Sequence, residues 1–428
     1  MKAQGLSRRR ALRLMGAGVA VAGSFVSRPA WLQAQAPAVR RKVKLTFWTW
    51  ADNPVHQKMS VDAVEAFNKT QNFITAEVDA TANSIEIRNK IVVAYAAGSG
   101  PDVGGLQQYF VQDYYDNGML HPIDEFFGKW EGKTDYFPYV LDAMRSKPGQ
   151  PFLYVPIDII ALLLYYRADW FQEAKLKPPV TYDEFIDAAR RLSKPPERYG
   201  YAFRGGDYNG IQVIEPLWGS AGVKFVDPAG KIDFDSHEAI AVTEKWVGMF
   251  TKDKSAPPTA ISDRYPQNFA LMEGGKGAMW IYGTQASPQL DAALGNKIQV
   301  TPLPRVEDKV HMLANPEGLM IMSSCKEKEA AWELIVYLSS GQPARVFSAE
   351  RGALPVRKSV AAEPVFQQNR FFKLALASAS SWWMPPFFHK HWANYRDKVT
   401  PYFQQALRQE ISVRDFHVQA AKILRGEA

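Results

Sequence analysis

Val43-Lys44-Leu45-Thr46-Phe47-Trp48-Thr49-Trp50, followed by Ala51-Asp52-Asn53-Pro54, decides how the rest of this chain is read. Val43 to Phe47 alternate apolar and polar side chains, the period of a half-buried strand, and Asn53-Pro54 stops it. Met59, Ala63 and Phe67 then recur at helical spacing, and Ile74, Ala76 and Val78 alternate again. Ile85 to Ala97 reads as a second helix closed by Gly98-Ser99-Gly100, and Pro101-Asp102-Val103 opens a third strand. This β-α-β-α-β order predicts an α/β fold with an open, mostly parallel sheet. Ligands of such sheets sit outside the carboxyl ends of the strands.

Upstream, residues 1 to 36 hold no acidic residue. Ser7-Arg8-Arg9-Arg10-Ala11-Leu12-Arg13 resembles the twin-arginine signal pattern, with Ala11 where an aromatic is usual. Leu14 to Val26 is apolar or small throughout, shorter than the ~18 residues a membrane span needs. Ala34-Gln35-Ala36 offers a small-x-small cleavage site, used after Ala34 or Ala36. The expectation is an exported protein whose signal peptide is residues 1–36. Six of the 51 basic residues fall in this segment, leaving 45 against 44 acidic ones. A near-neutral mature chain has no bulk electrostatic pull toward nucleic acid or an anionic membrane. Cys325 is the single cysteine, so no internal disulfide forms and no lipid anchor follows the signal. About 390 mature residues exceed what one hydrophobic core supports, so two domains are expected.

Downstream, Phe152 to Val155 and Ile159 to Tyr166 read as two buried strands. Thr181-Tyr182-Asp183-Glu184 is a capping box, and Asp235-Ser236-His237-Glu238 starts another helix. Ala278 to Tyr282 reads as a strand, Glu327 to Ser339 as a helix, and Thr400 to Leu424 as an amphipathic helical tail. No C-x-x-C, G-x-G-x-x-G, P-loop or G-x-S-x-G occurs, so no cofactor is expected. His389-Lys390-His391 would place two imidazoles on one strand face without a third ligand, which argues for loop histidines, not a metal.

Lys44 to Trp50, Gly98-Ser99-Gly100-Pro101-Asp102-Val103 and Asn117-Gly118-Met119-Leu120 resemble the amino-terminal part of the extracellular solute-binding proteins of ABC importers, the maltose-binding-like family. Pro156 with Leu164-Tyr165-Tyr166-Arg167-Ala168-Asp169, Gly277-Ala278-Met279 before Gly283, Lys328 to Leu338, and Gly352-Ala353-Leu354-Pro355-Val356 extend the resemblance along the mature chain. It implies a type II periplasmic-binding-protein fold, two α/β lobes joined by hinge crossings with the ligand cleft between them. The crossings would lie near Val155 to Ile159, near Glu317 to Met320 and after Pro355. One lobe would comprise residues 37–154 and 319–354, the other 155–318 and 355–428.

Strand ends facing the cleft make Trp50, Asp52, Ser84, Gln107, Gln108 and Tyr109 candidate ligand contacts from the first lobe. Asp158 lies in a crossing. Asn209, Gln212, Gly283, Thr284, Gln285, Trp383 and Trp392 are candidates from the second lobe, and Arg351 is a cation beside the third crossing. Each has a plainer role available: strand tryptophans are usually core, Asp52 can cap a helix, and Asp158 and Arg351 can be ion-pair partners. Flat aromatics with amides and carboxylates suit the CH faces and hydroxyls of a carbohydrate or polyol. A sugar phosphate or sulfonate would draw on Arg351 and the amides near Gly283 and Thr284. The expected protein is a monomeric, non-enzymatic periplasmic binder serving inner-membrane ABC permease subunits. A carbohydrate-cleaving enzyme and a sensor's ligand-presenting subunit are the rivals. Loss of Trp50 or Arg351 is expected to weaken binding while leaving the melting temperature nearly unchanged.

Overall fold

The computed structural model describes residues 39–51, 54–145, 149–227 and 230–428. The signal-like segment lies outside them, as do Asp52, Asn53 and the side chain of Ser84. The alternation of the opening stretch becomes strand β1 (Val43–Trp50), with Val43, Leu45 and Phe47 inward. Helix Pro54–Thr70 leads to β2 (Ile74–Ala82), and helix Ser84–Ala96 leads to β3 (Val103–Gln107). Both strands pair parallel to β1, as the order of elements predicts.

The remaining strands are β4 (Val155–Arg167), β5 (Tyr199–Tyr201), β6 (Gly277–Gly283), β7 (Ile298–Thr301), β8 (Met312–Ile321), β9 (Leu354–Pro355) and β10 (Trp382–Trp383). The sheet runs β2-β1-β3-β8-β4-β6-β5, with β7 and β9 on β4 and β10 on β8. The expectation of a mostly parallel sheet needs correction: β8 is antiparallel to β3, and β4 is antiparallel to β6, β7, β8 and β9. The cause is that β4 and β8 are long strands shared by two halves of the sheet. Residues 155–161 of β4 pair with β8, while residues 162–167 pair with β6 and β7. Residues 317–321 of β8 in turn pair with β3. Hydrophobic period alone carries no strand direction, so the sequence could not show this.

The run Ile159 to Tyr166 lies inside a longer strand of 13 residues that begins at Val155, whereas Phe152, Leu153 and Tyr154, read as part of a separate strand, are irregular. Proline interrupts a ladder only where its missing N–H is needed, and here the register shifts between Pro156 and Asp158. The tail also differs from its reading. It forms two helices, Trp392–Leu407 and Val413–Arg425, the second restarted by Ser412, whose hydroxyl caps Asp415 N–H. His389 and His391 lie in the turn before the first of these. Among the described residues no group of His, Cys, Asp and Glu could hold a metal ion, and no helix is long and apolar enough to cross a membrane.

Capping behaves as read: Thr181 and Glu184 form a reciprocal capping box, and Ser236 caps helix His237–Thr251. Between that helix and the last one, His417 is fully enclosed. Its Nδ1–H donates to Phe234 O at 2.8 Å, and its Nε2 accepts from Thr243 Oγ1 at 2.7 Å. Burial pushes its pKa down to about 4, so the imidazole is a neutral core group.

Candidate functional site

The strand register builds a polar row across the long strands β4 and β8 and their neighbour β3. Gln107 on β3 lies opposite Glu317 on β8, and Glu317 lies opposite Asp158 on β4. Partners on adjacent strands share a face of the sheet, so these three side chains project together. Two residues along, Asn315 lies opposite Ile160 on the same face. Leu162 then pairs with Gly283, which carries the chain into Thr284 and Gln285.

Arg351, the last residue of helix Gly341–Arg351, closes this row. Its guanidinium donates to Asp158 Oδ2 at 2.7 Å and to Glu317 Oε2. The three side chains are exposed by only 7%, 0% and 5%. The cation also lies 5.2 Å from the Trp50 ring, which packs edge-on against His56. Gly352 fixes the helix end: its φ is +72°, and a Cβ there would meet Thr284 O at 2.9 Å. Only glycine combines that left-handed backbone with so close an approach to the Thr284-Gln285 loop.

Six buried polar atoms in this region have no hydrogen-bond partner among the described residues. They are Trp50 Nε1, Gln107 Oε1, Gln108 Oε1, Thr284 Oγ1, Gln285 Oε1 and Asn315 Oδ1. Leaving such an atom unpaired costs about 1–3 kcal/mol. Five of the six can accept a hydrogen bond, so these atoms are chemically suited to a partner rich in hydroxyl donors.

A second cluster joins the segment after β3 to the last part of the chain. The Arg396 guanidinium lies 3.8 Å from the centre of the Tyr109 ring and 4.8 Å from that of Tyr208. Tyr109 also meets Phe387, with ring centres 5.8 Å apart. Tyr208 donates its hydroxyl to Glu215 Oε1 at 2.6 Å, and burial raises the Glu215 pKa to about 8 despite that bond and the nearby Arg396 charge. A carboxyl whose folded pKa lies above its unfolded value of 4.5 makes a stability contribution that is lost as pH rises between the two. Glu215→Gln should therefore gain melting temperature relative to the wild type at pH 8 and gain little at pH 5, read by calorimetry at both. His417 has the opposite sign, its contribution falling as pH drops from 6.5 toward 4.

Of the residues proposed from sequence, Trp50, Gln107, Asp158, Gly283, Thr284, Gln285 and Arg351 lie along this row and the Arg351 end of it, and Gln108 and Tyr109 follow Gln107 directly in the chain. Asn209 and Gln212 are half-buried on the short turn after Tyr208. Trp392 is in the core, 1% exposed and packed on Phe225, Phe387 and Tyr395. Trp383 stacks on His311 with planes 10° apart, beside a separate groove of about 460 Å³. Arg351 and Asp158 take the ion-pair role that was their alternative. Trp50 is 1% exposed, so the expectation that Trp50 and Arg351 can be removed without loss of stability is withdrawn. Sequence reading missed Glu317, Asn315, Glu215 and Arg396. Glu317 had a signal, as the one charge in the otherwise uncharged run Met312 to Ile321.

Residues 54–342 match the family described as bacterial extracellular solute-binding protein. The chain belongs to this family. A mannitol-binding protein of Pseudomonas aeruginosa is 26% identical over 258 residues, 57% of this solute-binding protein and 58% of its own length. A solute-binding protein of an ABC transporter from Thermotoga lettingae, solved with α-D-tagatose, superposes with a TM-score of 0.80 at 23% identity, covering 90% of this chain and 100% of its own. The maltose-bound MalE3 of T. maritima gives 0.78 at 21% identity, with 90% and 100% covered. These likenesses establish the fold as that of the two-lobed type II binding proteins.

Proposed function

We propose that this solute-binding protein captures a carbohydrate or sugar-like polyol in the periplasm and delivers it to inner-membrane ABC permease subunits. The observation that carries the reading is the set of buried, unpartnered polar atoms beside the Gln107-Glu317-Asp158 row, most of them acceptors. Hydroxyl groups of a polyol are the complementary donors, and Trp50 Nε1 supplies a donor to a ligand oxygen. Mannitol, tagatose and maltose, the ligands of the similar proteins, belong to the same chemical class. The proposed lobes are residues 37–154 with 319–354, and 155–318 with 355–428. β4, β8 and β9 are the crossings between them, and the protein works as a monomer released from its signal segment.

Binding without turnover is part of the proposal. A thermal-shift screen of the mature protein against D-mannitol, D-tagatose, maltose and related neutral sugars should show saturable stabilisation by at least one compound. Prolonged incubation should return that compound chemically unchanged. Accumulating product would make the protein an enzyme instead.

A further inference from the structure

The groove of about 460 Å³ beside Trp383 and His311 shares no lining residue with the polar row. Trp383, Met384 and Phe388 line it from β10 and the residues that follow, Lys224 from the segment after helix Glu215–Ser220, and Lys309 and His311 from the approach to β8. Its size falls in the ~300–1,000 Å³ range of small-molecule sites. The aromatic wall is braced from behind. The backbone N–H of His311 donates to Ser220 Oγ at 2.9 Å, and β10 holds Trp383 in register with Leu313 of β8. A Cβ at Gly219 would meet His311 Nδ1 at 2.8 Å and Trp383 Cε2 at 3.2 Å, so glycine is what lets that helix lie against the stacked pair. Two lysines line the groove and no acidic residue does. The nearest acids in the chain are engaged elsewhere: Asp308 lies 3.9 Å from Arg305, and Asp227 accepts the Lys231 N–H. Burial, and after it the Lys309 charge, hold the His311 pKa below its ordinary value, so the stacked imidazole adds no charge at neutral pH.

We propose that this groove is a second binding site, for a small aromatic carboxylate whose ring packs on Trp383, Met384 and Phe388 while its carboxylate is held by Lys224 and Lys309. A recess lined by charge of one sign, with apolar walls, concentrates ions of the other sign. The two rings and the thioether favour an aromatic body, through ring packing and sulfur–aromatic contact. A neutral sugar would leave both lysines unused, and a sugar phosphate would set its hydroxyls against an apolar wall that cannot bond them. The site differs from the polar row in place and in ligand class, so the inference does not rest on the proposed function.

Calorimetric titration of the protein with indole-3-acetate, set beside its neutral amide indole-3-acetamide, tests the site. The acid should saturate in the ~mM range or tighter and bind ~5-fold or more tightly than the amide. Replacing both cations, Lys224→Gln with Lys309→Gln, should bring that ratio down to about 1. The melting temperature should hold, because both lysines are exposed. Trp383→Ala should weaken acid and amide alike by ~10-fold. Should that variant fold poorly, the lysine pair still decides the assignment. No saturable binding of the acid, equal affinity for acid and amide, or a ratio unmoved by the lysine changes would each overturn the proposal. Saturation with the neutral compound that stabilises the protein most should leave the acid bound, and full displacement would place the acid in the sugar site and overturn a second one. Failure at any of these points leaves the proposed function standing, since the neutral-compound screen decides that separately.

Discussion

Arg351→Ala should destabilise the ligand-free protein by ~3–5 kcal/mol, because it strands two buried carboxylates without their counter-ion. Asp158 and Glu317 are 0% and 5% exposed, so water cannot replace the guanidinium without opening the region. The loss also exposes the face of Trp50, over which the cation sits at 5.2 Å. Calorimetric unfolding reads the effect, and adding Glu317→Gln to Arg351→Ala should recover part of it, since one uncompensated charge is then gone. An Arg351→Ala protein that melts with the wild type would mean that the ion-pair cluster is solvated in solution. The same arithmetic explains why binding losses at Arg351 must be corrected for stability before they are read as ligand contacts.

Arg396→Ala should weaken ligand binding by ~10-fold. A cation packed on an aromatic ring contributes ~0.5–2 kcal/mol depending on desolvation, and 1.4 kcal/mol is a factor of ten. Arg396 spans Tyr109, on the segment after β3, and Tyr208, in the middle of the chain. Contacts present only when the lobes meet are what a ligand can use to shift the open–closed equilibrium, so deleting one raises the apparent dissociation constant. Titration with the compound that stabilises the wild type most reads the change. The radius of gyration of the ligand-free variant should lie at or above that of the wild type. An unchanged affinity together with a lower melting temperature would reduce Arg396 to packing within one lobe.

Much of the architecture was legible because local signals agreed with the fold. The alternation in Val43 to Phe47, the Thr181 capping box and the Gly277-Ala278-Met279 strand all describe structure made by neighbours in sequence. What escaped was long-range. That β4 passes unbroken through Pro156 depends on which ladder positions need an N–H, and this is set by β8 and β9. Trp50 and Trp392 look alike as aromatic candidates. Both are 1% exposed, but Trp50 faces Arg351 of the polar row while Trp392 packs on Phe225, Phe387 and Tyr395, a difference made by residues far away in sequence. Glu317 and Arg396 acquire meaning only through partners 34 positions away in the first case and through rings from two separate segments in the second. Cys325 illustrates the reverse: the sequence shows a lone thiol, and burial raises its pKa to about 12, leaving it chemically quiet.

The location of a bound ligand is the most direct test of the account. A crystal structure of the mature protein with the compound that gives the largest thermal shift should place it between Gln107-Gln108 and Thr284-Gln285. Its hydroxyls should donate to the amide oxygens and lie against Trp50. A ligand found instead in the groove beside Trp383 and His311, with the polar row unoccupied, would contradict it.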